Sequence, residues 1–179
     1  MKVAILAGGV GSRLSEETAV KPKPLVEIGP YPILWHIMKH YAHFGHDDFV
    51  IALGYRGEMI KKFMVDYASL GGDLTVRMRT GEVTQHGNGA PDWRVDLVDT
   101  GQETLTGGRI LRLAPFLEDG TFMLTWGDGV ADVDLARLAE FHKSHGKLAT
   151  LTAVRPIARF GHLELQGDRV LEFSEKPQT

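Results

Sequence analysis

Three glycines, Gly8, Gly9 and Gly11, follow the apolar run Val3 to Ala7, with Ser12 and Arg13 next and then Lys21-Pro22-Lys23-Pro24. Residues without a Cβ let backbone N–H groups close on an anion, and a nearby guanidinium can clamp two oxygens at once. The set therefore reads as a grip for phosphate. It reads equally as a tight strand-exit turn beside a solvated arginine, because a short glycine motif carries only a hypothesis. Two common phosphate loops are excluded. The dinucleotide fingerprint would place its glycines at positions 9, 11 and 14, where Leu14 fills the last, and Pro22 and Pro24 interrupt the helix that should follow. A Walker A loop needs Gly-Lys-Ser/Thr five residues after its first glycine, and Gly8 leads to Arg13 instead.

Further along, Asp128 follows the apolar run Phe122 to Trp126 and precedes Gly129. That spacing puts its carboxylate at the C-terminal end of a strand, where open α/β sheets bind ligands; a turn residue or helix cap has the same signature. Asp132 and Asp134 fit the turn and cap of the next helix, and the run Asp128 to Asp134 lacks the ligand order of a calcium loop. His36, His40 and His43 share one helical flank, but no carboxylate is spaced to complete a zinc site, and a partly solvated helix face explains them. Lys23 and Lys176 taken singly read as exposed lysines, Arg109 as a partner for a surface carboxylate, Thr104 as a loop hydroxyl. Trp35, Trp93 and Trp126 read as core or interface residues.

These residues need a scaffold, and the apolar pattern supplies one. Runs rich in Val, Ile and Leu recur at Val3 to Ala7, Phe49 to Leu53, Phe122 to Trp126 and Leu148 to Val154, with helical periodicity between them. Alternation of that kind predicts α/β layers around a largely parallel sheet. Helices are expected from Pro32 to just before Gly45, from about Gly57 to Leu70, and from Asp134, a suitable N-cap, to His145 before Gly146. Thr80 to Asp92, dense in Gly, Asn and Pro, reads as a long loop, and the tail as two short strands around Gly167-Asp168.

The 179 residues fit one domain able to bury roughly 70% of its unfolded surface. Cysteine is absent, which excludes disulfides and zinc-thiolate centres. A formal net charge of −3 argues against a nucleic-acid binder. No apolar run approaches the roughly 20 residues that cross a bilayer, so the expectation is a soluble cytoplasmic protein without a membrane partner.

"LAGGVGSRLSEETAVKPKPLVEIG", "PILWHIMKHYAHFG", "LVDTG", "TGGR", "GDGVADVDL", "FHKSHGKLATLTAV" and "FSEKP" together resemble the sugar-1-phosphate nucleotidylyltransferases. The cytidylyl branch acting on glucose 1-phosphate is the most similar. The resemblance implies a Rossmann-like nucleotidyltransferase fold of the GT-A kind, with a mixed, mostly parallel central sheet flanked by helices. It implies the reaction of CTP with α-D-glucose 1-phosphate to CDP-glucose and pyrophosphate, with Mg²⁺. Uridylyl or thymidylyl transfer stays open, since a phosphate loop does not read the base; so does a nucleotide-binding module without turnover.

Carried over by position, Leu6, Ala7, Gly8, Gly9, Gly11, Ser12 and Arg13 would line the nucleotide, with Lys23, Thr104, Arg109 and Gly127. Arg13 and Lys23 would be catalytic, Asp128 would hold the metal, and Glu175 and Lys176 would meet the sugar phosphate. Ser12 stands where the family usually has Thr, and Pro30-Tyr31 replace its Lys-Pro. Family members continue past "EKP", so residues 1–179 are expected to form one nucleotidyltransferase domain lacking its C-terminal part, homo-oligomeric when full length.

Overall fold

The computed structural model describes residues 1–9, 21–87, 89–117, 120–154 and 162–174. In chain order come β1 (Val3–Leu6), a 3₁₀ turn (Lys23–Leu25), β2 (Glu27–Ile28), β3 (Tyr31–Pro32), α1 (Ile33–His43), β4 (Asp48–Leu53) and α2 (Gly57–Leu70). Then follow β5 (Asp73–Arg77), β6 (Glu82–His86), β7 (Arg94–Asp99), α3 (Thr106–Leu117), β8 (Met123–Trp126), α4 (Leu135–His145), β9 (His162–Gln166) and β10 (Arg169–Ser174). Two compact units divide the chain, Met1–Leu135 and Ala136–Thr179.

In the first unit a parallel sheet runs in the order β7-β4-β1-β8. The chain leaves β1 for β4 and β7 on one side and then returns to place β8 on the other. The order therefore reverses between β1 and β8, and the crevice beyond the strand ends at such a switch point is where ligands bind in open α/β sheets.

The strand alternation splits the core. Val3 and Ile5 of β1 with Phe49, Ile51 and Leu53 of β4 face Leu34, Ile37 and Met38 of α1 and Ile60 of α2. Ala4 and Leu6 with Val50 and Ala52 face Leu113 and Leu117 of α3. Helices thus cover both faces, which is why β1 and β4 read as continuous apolar runs rather than alternating ones.

The structure corrects several expectations. The segment 80–92 is not all loop: β6 pairs antiparallel with β5, and Gly81, at φ +71°, makes the turn between them. β7 was absent from the expected strands because Asp96 and Asp99 interrupt its pattern, and as an edge strand it is only half buried. α3 was missed too, its periodicity masked by Gly107, Gly108 and Pro115. Leu148 to Val154 forms no strand, and Leu148 and Leu151 are exposed. A strand exists only within a ladder, and in this unit β9 and β10 pair with each other. That hairpin matches the expected tail, with Gly167 at φ +61° in its turn.

Candidate active site at the strand ends

The two halves of the crevice are joined by backbone. The Gly127 N–H, just past β8, donates to the Leu6 carbonyl at 2.9 Å, while the Ala7 N–H donates to Ala52 at 3.0 Å. A Cβ on Gly127 would lie 3.2 Å from the Leu6 oxygen, 3.2 Å from Pro24 Cγ and 3.3 Å from Ala7 Cβ, so the 3₁₀ turn seats itself on this glycine. Its prolines make that turn: Pro22 is fixed at φ −67°, ψ 145°, and its carbonyl accepts the Leu25 N–H at 2.8 Å. The result brings Lys23 to Asp128, with Nζ 3.5 Å from Oδ2. Both side chains are partly exposed, so the pair adds little stability and leaves a cation and a carboxylate facing the crevice.

On the other side of β1 the organising residue is Arg109. It belongs to the buried stripe Arg109, Leu113 and Leu117 of α3, one turn ahead of the apolar pair, which sets its side chain beside the ends of β1, β4 and β7. The residue is 5% exposed. Nη1 donates to Leu53 O at 3.0 Å, Thr100 Oγ1 at 2.7 Å and Gly101 O at 2.9 Å. Nη2 donates to Gly8 O at 2.9 Å and Gln102 O at 3.0 Å. All five partners are carbonyl or hydroxyl oxygens. Burial, and then repulsion from Arg112, lowers the guanidinium's affinity for its proton, against the pull of Asp99. A guanidinium is not deprotonated in proteins, so Arg109 stays charged.

Space for this group comes from glycine. A Cβ at Gly8 would lie 2.2 Å from Arg109 Nη1, and one at Gly54 would lie 2.5 Å from the same atom and 2.6 Å from Gly8 O. Fully buried Thr100 donates its own hydroxyl to Leu53 O at 2.6 Å. Thr104 is held in the same corner, accepting from Arg112 Nη1 at 2.6 Å, while Arg112 also donates to Thr100 O.

Of the residues singled out in the sequence, Leu6, Ala7, Gly8, Gly9, Lys23, Gly127 and Asp128 therefore lie along the β1/β8 crevice, Arg109 joins it through Gly8, and Thr104 is tied to the Arg109 corner through Arg112 and Thr100. Gly11, Ser12, Arg13, Glu175 and Lys176 lie outside the described residues. By the resemblance Arg109 would contact the nucleotide; in the structure its Nη1 and Nη2 engage these five acceptors of the fold. Gly54, Thr100 and Arg112 escaped sequence reasoning. Gly54 had a usable signal, since it follows the expected strand Phe49 to Leu53 as Gly8 follows β1.

His36 and His40 engage backbone carbonyls, Ile28 O at 2.8 Å and Val133 O at 3.1 Å. Among the described residues no three His, Asp or Glu side chains converge as a metal site. A hollow of about 370 Å³ lined by Lys2, Asp47, Asp48, Arg94 and Thr121 lies at the N-terminal ends of the strands, opposite the crevice. No helix among the described residues is long and apolar enough to cross a membrane.

Comparison with known proteins gives a consistent picture. The sequence model of the nucleotidyl transferase family matches residues 2–179. Glucose-1-phosphate cytidylyltransferase of Salmonella typhi is 51% identical over 179 residues, which cover 99% of this chain and 70% of that protein. Probable glucose-1-phosphate cytidylyltransferase of Bacillus subtilis (strain 168) is 44% identical over 179 residues, 100% of this chain and 70% of that one. Among solved structures, HddC from Yersinia pseudotuberculosis superposes with a TM-score of 0.62 at 23% identity, over 98% of this chain and 69% of its own, a likeness of fold.

Proposed function

The chain belongs to the nucleotidyl transferase family, and we propose that it condenses CTP with α-D-glucose 1-phosphate to give CDP-glucose and pyrophosphate. The observation that carries the proposal is the meeting of Lys23 and Asp128, 3.5 Å apart, beside the Gly8-Gly9 strand exit at the sheet's switch point. A lysine, a carboxylate and a glycine turn at that point match what a nucleoside triphosphate requires: cationic and amide donors for its phosphates and a ligand for its cation.

The residues fit Mg²⁺ as the cation. Asp128 offers a single carboxylate half open to solvent, and Mg²⁺ prefers one or two carboxylates completed by phosphate oxygens and water. When bound there it would neutralise charge on the triphosphate and on the departing pyrophosphate. The chain's own residues do the rest. Lys23 and the glycine turn orient the triphosphate. The sugar phosphate needs no general base, because its second pKa near ~6 leaves it largely dianionic at neutral pH. One of its oxygens forms the new bond to the α-phosphorus while the α–β bridging bond breaks, and pyrophosphate leaves with the electron pair. Catalysis is alignment of two repelling anions plus electrostatic stabilisation, for which Lys23 and, by resemblance, Arg13 and Lys176 supply positive charge.

The test is pyrophosphate release from glucose 1-phosphate with CTP, UTP, dTTP, ATP or GTP in the presence of Mg²⁺. CTP is expected to be preferred and both substrates required. Lys23→Ala and Asp128→Asn should each lower turnover by about 10²–10³, the scale of losing one electrostatic stabiliser. Failure to release pyrophosphate with any of the five nucleotides, by a folded protein that nevertheless binds CTP, would leave a nucleotide-binding module in place of the enzyme.

A further inference from the structure

We propose that Arg109 is a positioning residue for the nucleotide grip: by holding the Gly8 carbonyl inward it turns the Gly9 N–H outward, toward an anionic phosphate oxygen. The proposal rests on reading the Gly8-Gly9 turn as part of that grip. The Gly8 oxygen is fixed from within the fold by two donors, Arg109 Nη2 at 2.9 Å and the Tyr55 N–H at 3.1 Å. The described peptide bonds are all trans, and in a planar trans peptide the C=O and the following N–H point in opposite directions. A Gly8 carbonyl pinned toward Arg109 therefore aims the Gly9 N–H away from it.

The two glycines consequently serve different ends. At Gly8 the missing Cβ is filled by the guanidinium, whereas a Cβ at exposed Gly9 would meet none of the described residues within 4 Å. Gly8 makes room for the device and Gly9 presents its donor. Arginine suits the position and lysine does not. The planar fork reaches acceptors on three strand exits at once, Gly8 after β1, Leu53 at the end of β4, and Thr100, Gly101 and Gln102 after β7. Its acceptors carry no formal charge, so the guanidinium also adds positive potential beneath the turn.

The experiment compares wild type, Arg109→Lys and Arg109→Met by calorimetry with CTP, inorganic tripolyphosphate and cytidine, and by steady-state kinetics. Both variants are expected to bind CTP and tripolyphosphate about ten- to a hundred-fold more weakly, the range for losing one hydrogen bond to a charged acceptor. Cytidine affinity and the KM for glucose 1-phosphate should stay within about threefold. Weakened cytidine binding would make Arg109 a base contact and overturn the proposal; so would uniform loss of every parameter with restoration by lysine, which a plain structural cation would give. Should the variants not fold, ¹⁵N-labelled wild type decides: tripolyphosphate must shift the Gly9 amide resonance downfield, and an unmoved Gly9 amide in a tripolyphosphate-saturated protein refutes the positioning role. A wild type that binds neither CTP nor tripolyphosphate would instead indict the functional reading itself.

Discussion

Gly54 lies at the end of β4, touches no predicted substrate group, and should nonetheless be intolerant of a single methyl. In Gly54→Ala the new Cβ would sit 2.5 Å from Arg109 Nη1, 2.8 Å from Nη2 and 2.6 Å from the Gly8 carbonyl oxygen. Two of these atoms belong to a guanidinium held by five acceptors and the third to backbone, so no flexible chain end can swing aside. Overpacking of this kind costs about 1–3 kcal/mol. Escape by moving the Gly8 carbonyl would forfeit its bond to Arg109, worth about 1.5–3 kcal/mol as a hydrogen bond to a charged group. Against this, replacing glycine at an ordinary φ returns about 0.4–1 kcal/mol through the unfolded chain. The net expectation is a loss of about 1–2 kcal/mol, hence a Tm lower by roughly 2–8 °C for a chain of this size. Thermal melts should be run beside Gly9→Ala, where the same methyl meets none of the described residues within 4 Å and stability should be kept or raised by about 0.4–1 kcal/mol. CTP affinity should fall in Gly54→Ala because the Gly8 oxygen has been displaced. A Gly54→Ala protein that melts with wild type and binds CTP normally would refute the packing of Arg109 between the two glycines.

Two other consequences concern stability. His46 is held below its ordinary pKa by burial first and then by the N-terminal ammonium, with Asp47 opposing, and its Nδ1 is buried without a hydrogen-bond partner among the described residues. The fold thus favours the neutral ring, and stability should decline as pH falls from about 6.5 toward the lowered value; urea midpoints for wild type and His46→Gln should converge at acid pH and diverge near pH ~8 only by a constant. A slope identical in both proteins would remove His46 as its source. Phe49, fully buried and edge-on to Trp93 at 5.8 Å, anchors the α1/α2 face, so Phe49→Ala should cost about 3–5 kcal/mol in urea unfolding, and a midpoint near wild type would show that this face is not the core.

What was legible in the sequence follows burial. β1 and β4 are covered on both faces and announce themselves as apolar runs, while the half-buried edge strand β7 carries aspartates that conceal it. α1 and α2 show clean periodicity, but α3 begins on Thr106-Gly107-Gly108 and holds Pro115, so its stripe of Arg109, Leu113 and Leu117 is visible only once the helix is known. Leu148 to Val154 misled for the converse reason. Its composition suits a strand, but composition supplies no partner, and strand formation is a property of the pair.

The site divides along a similar line. Gly8, Lys23 and Asp128 were singled out together by the resemblance, whereas Lys23 and Asp128 taken singly read as an exposed lysine and a turn residue; the prolines around Lys23 explain locally how it is delivered to Asp128. Arg109 read singly as a partner for a surface carboxylate and by resemblance as a nucleotide contact, and neither reading gives its direction. A guanidinium that grips a ligand and one that grips the ligand's loop have the same residue type, the same neighbourhood in sequence and the same position at the strand ends. What separates them is the far side of the contact, Gly8, 101 residues away. Gly54 holds the missing information: a loop arginine reaching into solvent needs no second glycine opposite the first, whereas a guanidinium lying between two strand exits needs both. Paired glycines closing parallel strands, with a buried arginine one turn into a later helix, are therefore a sequence pattern for a backbone-orienting arginine. Substituting either glycine should reproduce, through the backbone, the phosphate-binding defect of substituting the arginine itself.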